Sequence, residues 1–342
     1  MDESAMTDAR GLWGIVLAGG EGVRLRPLVR RVVGEERPKQ FVRLLGPRSL
    51  LRQTLDRAAL GISTDRTVVV TVRQHTEYIA EEFAGVSQPP YVLVQPEDRG
   101  TAAAILYAAH WIAWRDPSAT IAIFPSDHFI LGEATFMAHV QVVAGALERH
   151  PDRVVLLGGQ PTSPEGEYGW IEPGPPIDGD DGVVSTVRQF WEKPSEARAQ
   201  MCLSTGCLWN TAIVVARARA LLELGARALP EMSSRLAGLQ RFVDSDREVA
   251  AVDQAYALMA KASFSRAVLE SHPEHLGVSR LPRVTWCDLG SPPRVLYVLA
   301  RMRVRPAWAD LMDASASPGP VAAPAPALVP APGPTLRSVA SH

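Results

Sequence analysis

A glycine-rich break straight after a short apolar strand, Leu17-Ala18-Gly19-Gly20-Glu21-Gly22-Val23-Arg24-Leu25-Arg26-Pro27-Leu28, constrains this chain more than any other feature. Ile15, Val16 and Leu17 have the character of a buried strand. The glycines beyond them let the backbone turn tightly and bring amide N–H groups against phosphate oxygens without side-chain obstruction. Arg24 and, in Pro38-Lys39-Gln40-Phe41, Lys39 supply separated positive charges. A glycine pair alone marks only a turn, but the whole string reads as a grip for a polyphosphate. It lacks both the Gly-x-x-x-x-Gly-Lys-Ser/Thr spacing of P-loops and the Gly-x-Gly-x-x-Gly spacing of dinucleotide folds, so neither of those nucleotide modes applies.

The rest of the chain supports an α/β reading. Thr67–Val72, Tyr91–Val94 and Thr120–Phe124 are apolar runs of strand length separated by helical patterns, an order that predicts a parallel sheet covered by helices. Ser49 is placed to cap a helix carrying Leu51, Leu55 and Ala58, and Phe136, Val140, Val143 and Leu147 repeat at helical spacing. Val154–Leu157 then leads into a Gly/Pro-rich stretch over 158–182 and a β-like run over 183–191, predicting a small additional sheet over the first. Helical patterns return at 197–201, 218–224 and 248–261, and further strands are expected at 214–216 and 283–287. The predicted organisation is a flexible N-terminus over 1–10, one catalytic domain over 11–310, and a disordered Ala/Pro-rich tail over 311–342.

Composition narrows the function class. A formal charge of −2 over 342 residues, with no basic block, predicts no nucleic-acid partner and makes any phosphate recognition local. The polar segment 1–10 has no signal-peptide core, and no apolar run approaches the roughly 20 residues of a membrane span, so a cytoplasmic protein with no membrane partner is expected. Cys202, Cys207 and Cys287 are read as buried free thiols, because no second Cys or His pair stands near the first two to complete a zinc site. The oligomeric state is left open, and a homo-oligomer is compatible with the sequence.

Three groups of residues carry candidate chemistry. Asp127 ends the strand run through Phe124-Pro125-Ser126, and Asp288 ends the run through Trp286-Cys287. Each taken alone reads as a turn or cap residue. Gln95-Pro96-Glu97-Asp98-Arg99-Gly100-Thr101-Ala102 follows a strand and opens a helix, with Thr101 as its expected cap. The third group is Tyr168-Gly169-Trp170, Glu192-Lys193-Pro194 and Trp209-Asn210-Thr211-Ala212. Its aromatic rings suit a sugar face, a carboxylate can accept from two hydroxyls, and Lys193 can hold phosphate. Ordinary core packing is the competing reading for the tryptophans, and applies to at least two of Trp170, Trp191 and Trp209.

From Leu17 to Ser291 these motifs occur in the order of the sugar nucleotidyltransferases, and the chain resembles in particular the mannose-1-phosphate guanylyltransferases. The resemblance implies a Rossmann-like α/β fold with a mostly parallel central sheet, and transfer of a guanylyl group from GTP to mannose 1-phosphate with magnesium. It implies that Leu17, Ala18, Gly19, Gly20, Gln95, Gly100 and Thr101 hold the nucleotide, and that Arg24, Lys39 and Asp127 are catalytic. Asp127 and Asp288 would hold the metal, while Tyr168, Gly169, Glu192, Lys193 and Asn210 would hold the sugar phosphate. Another sugar 1-phosphate or nucleotide is the nearest alternative, and a non-catalytic nucleotide-sugar-binding regulatory protein is the alternative from another class. The chain departs from the family pattern at Gly166-Glu167, Thr211-Ala212, Ser265 and Pro292. The Glu167 charge, in place of a glycine, is expected to repel the sugar phosphate or to select an altered sugar.

Overall fold

The computed structural model describes residues 11–177, 179, 182–306 and 308. The predicted segments 1–10 and 311–342 lie outside the described residues. Strand β1 (Leu12–Leu17), helices α1 (Arg26–Val33) and α2 (Leu50–Ala58), β2 (Thr67–Val72), α3 (Thr76–Phe83), β3 (Tyr91–Gln95), α4 (Thr101–Arg115) and β4 (Thr120–Pro125) build the first half. Ser49 caps α2 as expected, its Oγ accepting from Arg52 N at 3.0 Å. All of β2 is buried and β-branched, which suits a strand covered on both faces.

The second half runs β5 (Phe129–Leu131), α5 (Glu133–Ala146), β6 (Val154–Gly159), β7 (Gly169–Pro176), β8 (Ser185–Glu192), α6 (Glu196–Ser204) and β9 (Leu208–Arg217). It continues through α7 (Ala218–Ala228), α8 (Pro230–Ala237), α9 (Glu248–Ala257), β10 (Leu276–Arg280), β11 (Thr285–Cys287) and α10 (Pro292–Met302).

Nine strands form one sheet in the order β3-β2-β1-β4-β9-β6-β10-β8-β7, and β11 pairs with β5 in a small second sheet. The expected parallel arrangement holds across β3-β2-β1-β4, but β9 runs antiparallel to β4, and the sheet as a whole is mixed. The middle segment does not make a separate layer. β9 is long enough to pair with β4 through Val214–Arg217 and with β7 through Leu208–Trp209, so β7 and β8 close onto the main sheet as a ring. The helix expected over 248–261 stops at Ala257, and the residues after it turn back to meet Gly100. Leu17 lies level with Pro125 across β1–β4, and Val72 with Gln95 across β2–β3. The glycine loop, Asp127 and the segment after Gln95 therefore leave the sheet along one edge, where α/β sheets place their ligands.

The core has two main faces. The apolar α4 lies on one with Ile15, Val68 and Ile121, and Phe136, Val140 and Val143 of α5 lie on the other with Val16, Val69 and Phe124. Cys202, Cys207 and Cys287 are all free and buried. Among the described residues no helix is long and apolar enough to cross a membrane.

Candidate active site

The glycine loop is fixed from both sides by polar side chains. Ser126 donates from its N (3.1 Å) and its Oγ (2.6 Å) to the Leu17 carbonyl, and Ala18 N donates to Val70 O at 2.8 Å. Gln40, 2% exposed, spends its amide N–H groups on Ala18 O at 3.0 Å and Gly20 O at 2.8 Å. The Pro-Lys-Gln-Phe segment thus supplies both the buttress of the loop and, next to it, Lys39. Gly22, Arg24, Lys39, Asp127 and Gly290 line a pocket of about 270 Å³ beside the loop.

Lys39 is the central charge. Its Nζ lies 3.1 Å from Asp127 Oδ2 and donates to the carbonyls of Asp288 (3.0 Å) and Leu289 (3.1 Å). Burial acts to raise the Asp127 carboxyl, but the Lys39 ammonium overcomes it and holds it below the ordinary carboxylate range. His128 is driven the other way by burial, below its ordinary value, against the pull of Asp127 and Asp288. Trp286 Nε1 donates to His128 Nδ1 at 3.3 Å, which leaves the imidazole proton on Nε2, 3.8 Å from Asp127 Oδ1. His128 therefore shapes the site as a neutral ring.

Asp288 is held by a denser set of donors. Its Oδ1 accepts from Tyr168 Oη at 2.9 Å and Gly290 N at 3.0 Å, and Arg294 Nη1 lies 3.0 Å from both carboxylate oxygens. Arg24 Nη2 is 3.9 Å from Oδ2. Arg294 also pairs with Glu165 at 2.6 Å and lies over the Tyr168 ring at 4.5 Å. Burial disfavours the Arg294 charge, but Asp288 and Glu165 raise its pKa further above the usual arginine range.

The sequence motifs pointed to Arg24, Lys39, Asp127 and Asp288, which do converge; they missed Arg294 and Glu165. A cation closely following Asp288, in the segment that departs from the family pattern, was the available signal for Arg294. Also missed was Arg57, whose guanidinium is 4% exposed, bonds Thr54 Oγ1 at 2.9 Å and reaches the His128 carbonyl at 3.4 Å. Burial lowers its pKa to about 10.

Of the predicted base-side residues, Gln95 lies beside Gly19, but its amide is engaged in the core: Nε2 donates to Thr71 O at 3.3 Å and Oε1 accepts from Tyr256 Oη at 3.2 Å. The helix cap expected at Thr101 falls on Gly100, with φ +85°, where a Cβ would stand 2.2 Å from Ala262 O. Thr101 is the first helical residue, and its Oγ1 accepts from Phe264 N at 2.9 Å. The segment after α9 thus clasps the start of α4.

The sugar-side residues share three adjacent strands. Gly169 is paired with Glu192, and Trp170 with Trp209. A Cβ at Gly169 would lie 3.1 Å from both Asn210 Cβ and Glu192 Oε2, so a larger residue there would have to push these groups back. Burial raises the Glu192 carboxyl against the influence of Lys193, and Glu192 N donates to Glu270 Oε1 at 3.0 Å. Lys193 adopts a left-handed φ of 52°. Trp170 and Trp209 are core residues, as the packing alternative predicted, and Trp191 is half-buried. The Glu167 carboxylate pairs with Arg24 and lies 3.6 Å from Arg294 Nη1.

Among the described residues no three His, Cys, Asp or Glu side chains cluster as a protein-only metal cage. Asp127 and Asp288 nevertheless suit magnesium, which takes hard carboxylate oxygens from one or two side chains and fills its remaining positions with phosphate oxygens and water. The Lys39 ammonium between the Asp127 carboxylate and the Asp288 carbonyl marks a place that already favours positive charge.

Residues 13–302 match the Nucleotidyl transferase family. The chain is similar to the xanthan biosynthesis protein XanB of Xanthomonas campestris pv. campestris (strain B100), 33% identical over 288 residues, or 83% of this chain and 58% of that protein. It is also similar to the mannose-1-phosphate guanylyltransferase ManC of Salmonella typhimurium (strain LT2), 30% identical over 82% of this chain and 58% of that protein. The chain therefore spans 58% of the length of these curated relatives. Among solved structures it is similar to the mannose-1-phosphate geranyltransferase from Thermus thermophilus, with a TM-score of 0.70, 30% identity, and coverage of 82% of this chain and 76% of that one.

Proposed function

Because this chain belongs to the nucleotidyl transferase family, we infer that it joins GTP to mannose 1-phosphate, forming GDP-mannose and pyrophosphate. The observation that carries this reading is the convergence of Lys39, Asp127 and Asp288 at the rim of the glycine loop. The guanylyltransferase name of the Salmonella relative supports the choice of substrates.

In the reaction, a phosphate oxygen of mannose 1-phosphate attacks the α-phosphorus of GTP in line with the departing pyrophosphate. One P–O bond forms, the bond to the bridging oxygen breaks, and its electron pair leaves with pyrophosphate. The nucleophile is already ionised at neutral pH, so the site has no need of a general base, and a neutral His128 is consistent with that. Loop amides and Arg24 bind the triphosphate, and Lys39 offsets the charge that builds on the leaving group. Glu192 and Asn210 orient the sugar, and Lys193 holds its phosphate. Tyr168, through its bond to Asp288, links the sugar strands to the metal side of the site. Magnesium bound by Asp127 and Asp288 would supply Lewis-acid neutralisation of the phosphate oxygens.

The test is single-turnover mixing of the protein with magnesium, GTP and mannose 1-phosphate, following pyrophosphate and GDP-mannose together. Stoichiometric formation of both is expected. Tight GTP binding with no pyrophosphate release would favour a nucleotide-binding regulatory protein.

A further inference from the structure

Arg24, assigned above to the triphosphate, is not free to meet it. Its Nη1 is paired with the carboxylate of Glu167, a residue on the approach to β7. The same carboxylate has a second cation within reach, since Arg294 Nη1 lies 3.6 Å from Glu167 Oε2. Arg294 is anchored independently by Asp288 and Glu165, so it stays in place whichever way Glu167 turns. The side chains of Arg24 and Glu167 are 53% and 52% exposed, which keeps their pairing weak enough to break.

We propose that Glu167 is a latch on Arg24 that competes with the nucleotide triphosphate: binding displaces the carboxylate from Arg24 toward Arg294 and frees the guanidinium for phosphate. Glu167 is thus a positioning residue whose effect falls on nucleotide affinity. This proposal rests on the assignment of Arg24 to the triphosphate. The geometry gives the two positions: one carboxylate lies between two guanidiniums, of which only Arg24 lines the pocket beside the glycine loop. Because the latch acts on charge at the phosphates, its effect is independent of the base.

An exposed ion pair of this kind is worth a few tenths to about 1 kcal/mol, which corresponds to roughly two- to fivefold in a dissociation constant. The experiment measures equilibrium binding of GTP, ATP, UTP and dTTP by calorimetry, with magnesium and no sugar phosphate, to the unaltered protein, Glu167→Gln, Glu167→Gly, Arg24→Ala and the two double variants. The latch predicts about two- to fivefold tighter binding in both Glu167 variants for whichever triphosphate binds best, and no such gain when Arg24 is also absent. Unchanged or weaker binding in Glu167→Gln and Glu167→Gly overturns it, as does a gain that persists without Arg24. A preference for UTP or dTTP would defeat the guanylyl reading yet leave the latch standing if the same ratio is found. If no triphosphate binds the unaltered protein, binding restored by Glu167→Gln supports the latch, and binding restored by neither variant rejects it.

Discussion

Lys39 Nζ lies 3.1 Å from Asp127 Oδ2 while donating to the Asp288 carbonyl, so one buried ammonium ties the end of β4 to the segment after β11. Under the proposed function this ammonium offsets the charge that builds on the departing pyrophosphate, and a charge positioned in advance lowers a barrier in that way. Lys39→Ala is expected to reduce turnover by roughly 10²-fold or more with the fold retained. Steady-state kinetics with circular dichroism as a fold control test this, and near-normal turnover would remove Lys39 from the mechanism.

If Asp127 and Asp288 share one magnesium ion, they act as a unit. Asp127→Asn and Asp288→Asn should each abolish most magnesium-dependent activity, and the double variant should lose little beyond the worse single one. Magnesium titrations of turnover provide the measurement. Fully additive losses would assign the two carboxylates separate roles.

The clasp between Gly100 and Ala262 predicts a stability effect. An alanine there meets a carbonyl oxygen at 2.2 Å and must hold φ near +85°. Gly100→Ala should therefore cost about 2 kcal/mol or more, because neither the backbone contact nor the strained φ can relax cheaply. Urea unfolding would show it, and a loss below about 0.5 kcal/mol would mean that the clasp opens freely.

Much of this architecture was legible in the chain, for physical reasons that also explain what was not. β2 is a six-residue apolar run with clean ends, and Ser49 stands in the ordinary place of a cap, so local chemistry decided both. β7 hides in a Gly/Pro-rich stretch because its pairing is decided by β8 and β9, not by its own propensity. β10 carries Gly277 and Ser279, and forms because β6 and β8 flank it. The charged residues beside the glycine loop were legible through their motifs. Arg294 and Arg57 were not, since an arginine held in an ion-pair or hydrogen-bond network is defined by partners that only the fold assembles. Glu167 stands out in the sequence as a departure, but its pairing with Arg24, in a distant segment, is visible only once the fold brings the two together.

Buried and half-buried histidines predict an acid-sensitive fold. Burial lowers the pKa of His110 to about 4 and moves His75, His128 and His139 down as well. As pH falls below the ordinary histidine value near 6.5, the unfolded chain takes up protons that the folded chain refuses, so stability is lost as pH falls. For His110 alone the loss at pH 4 is on the order of 3 kcal/mol relative to neutral pH. His110→Phe, which keeps a ring against Trp114, should flatten the acid side of a stability–pH profile. An unchanged profile would mean that His110 titrates as it does in water.

The central claim is guanylyl transfer, and it is tested most directly by the specificity constants for GTP, ATP, UTP and dTTP with mannose 1-phosphate as the acceptor. A site that hydrogen-bonds the guanine edge leaves its own buried groups unpaired with the wrong base, at a cost of about 1–3 kcal/mol for each such group. GTP is therefore expected to exceed each of the other three by at least about tenfold. Equal or better use of UTP or dTTP would contradict the account.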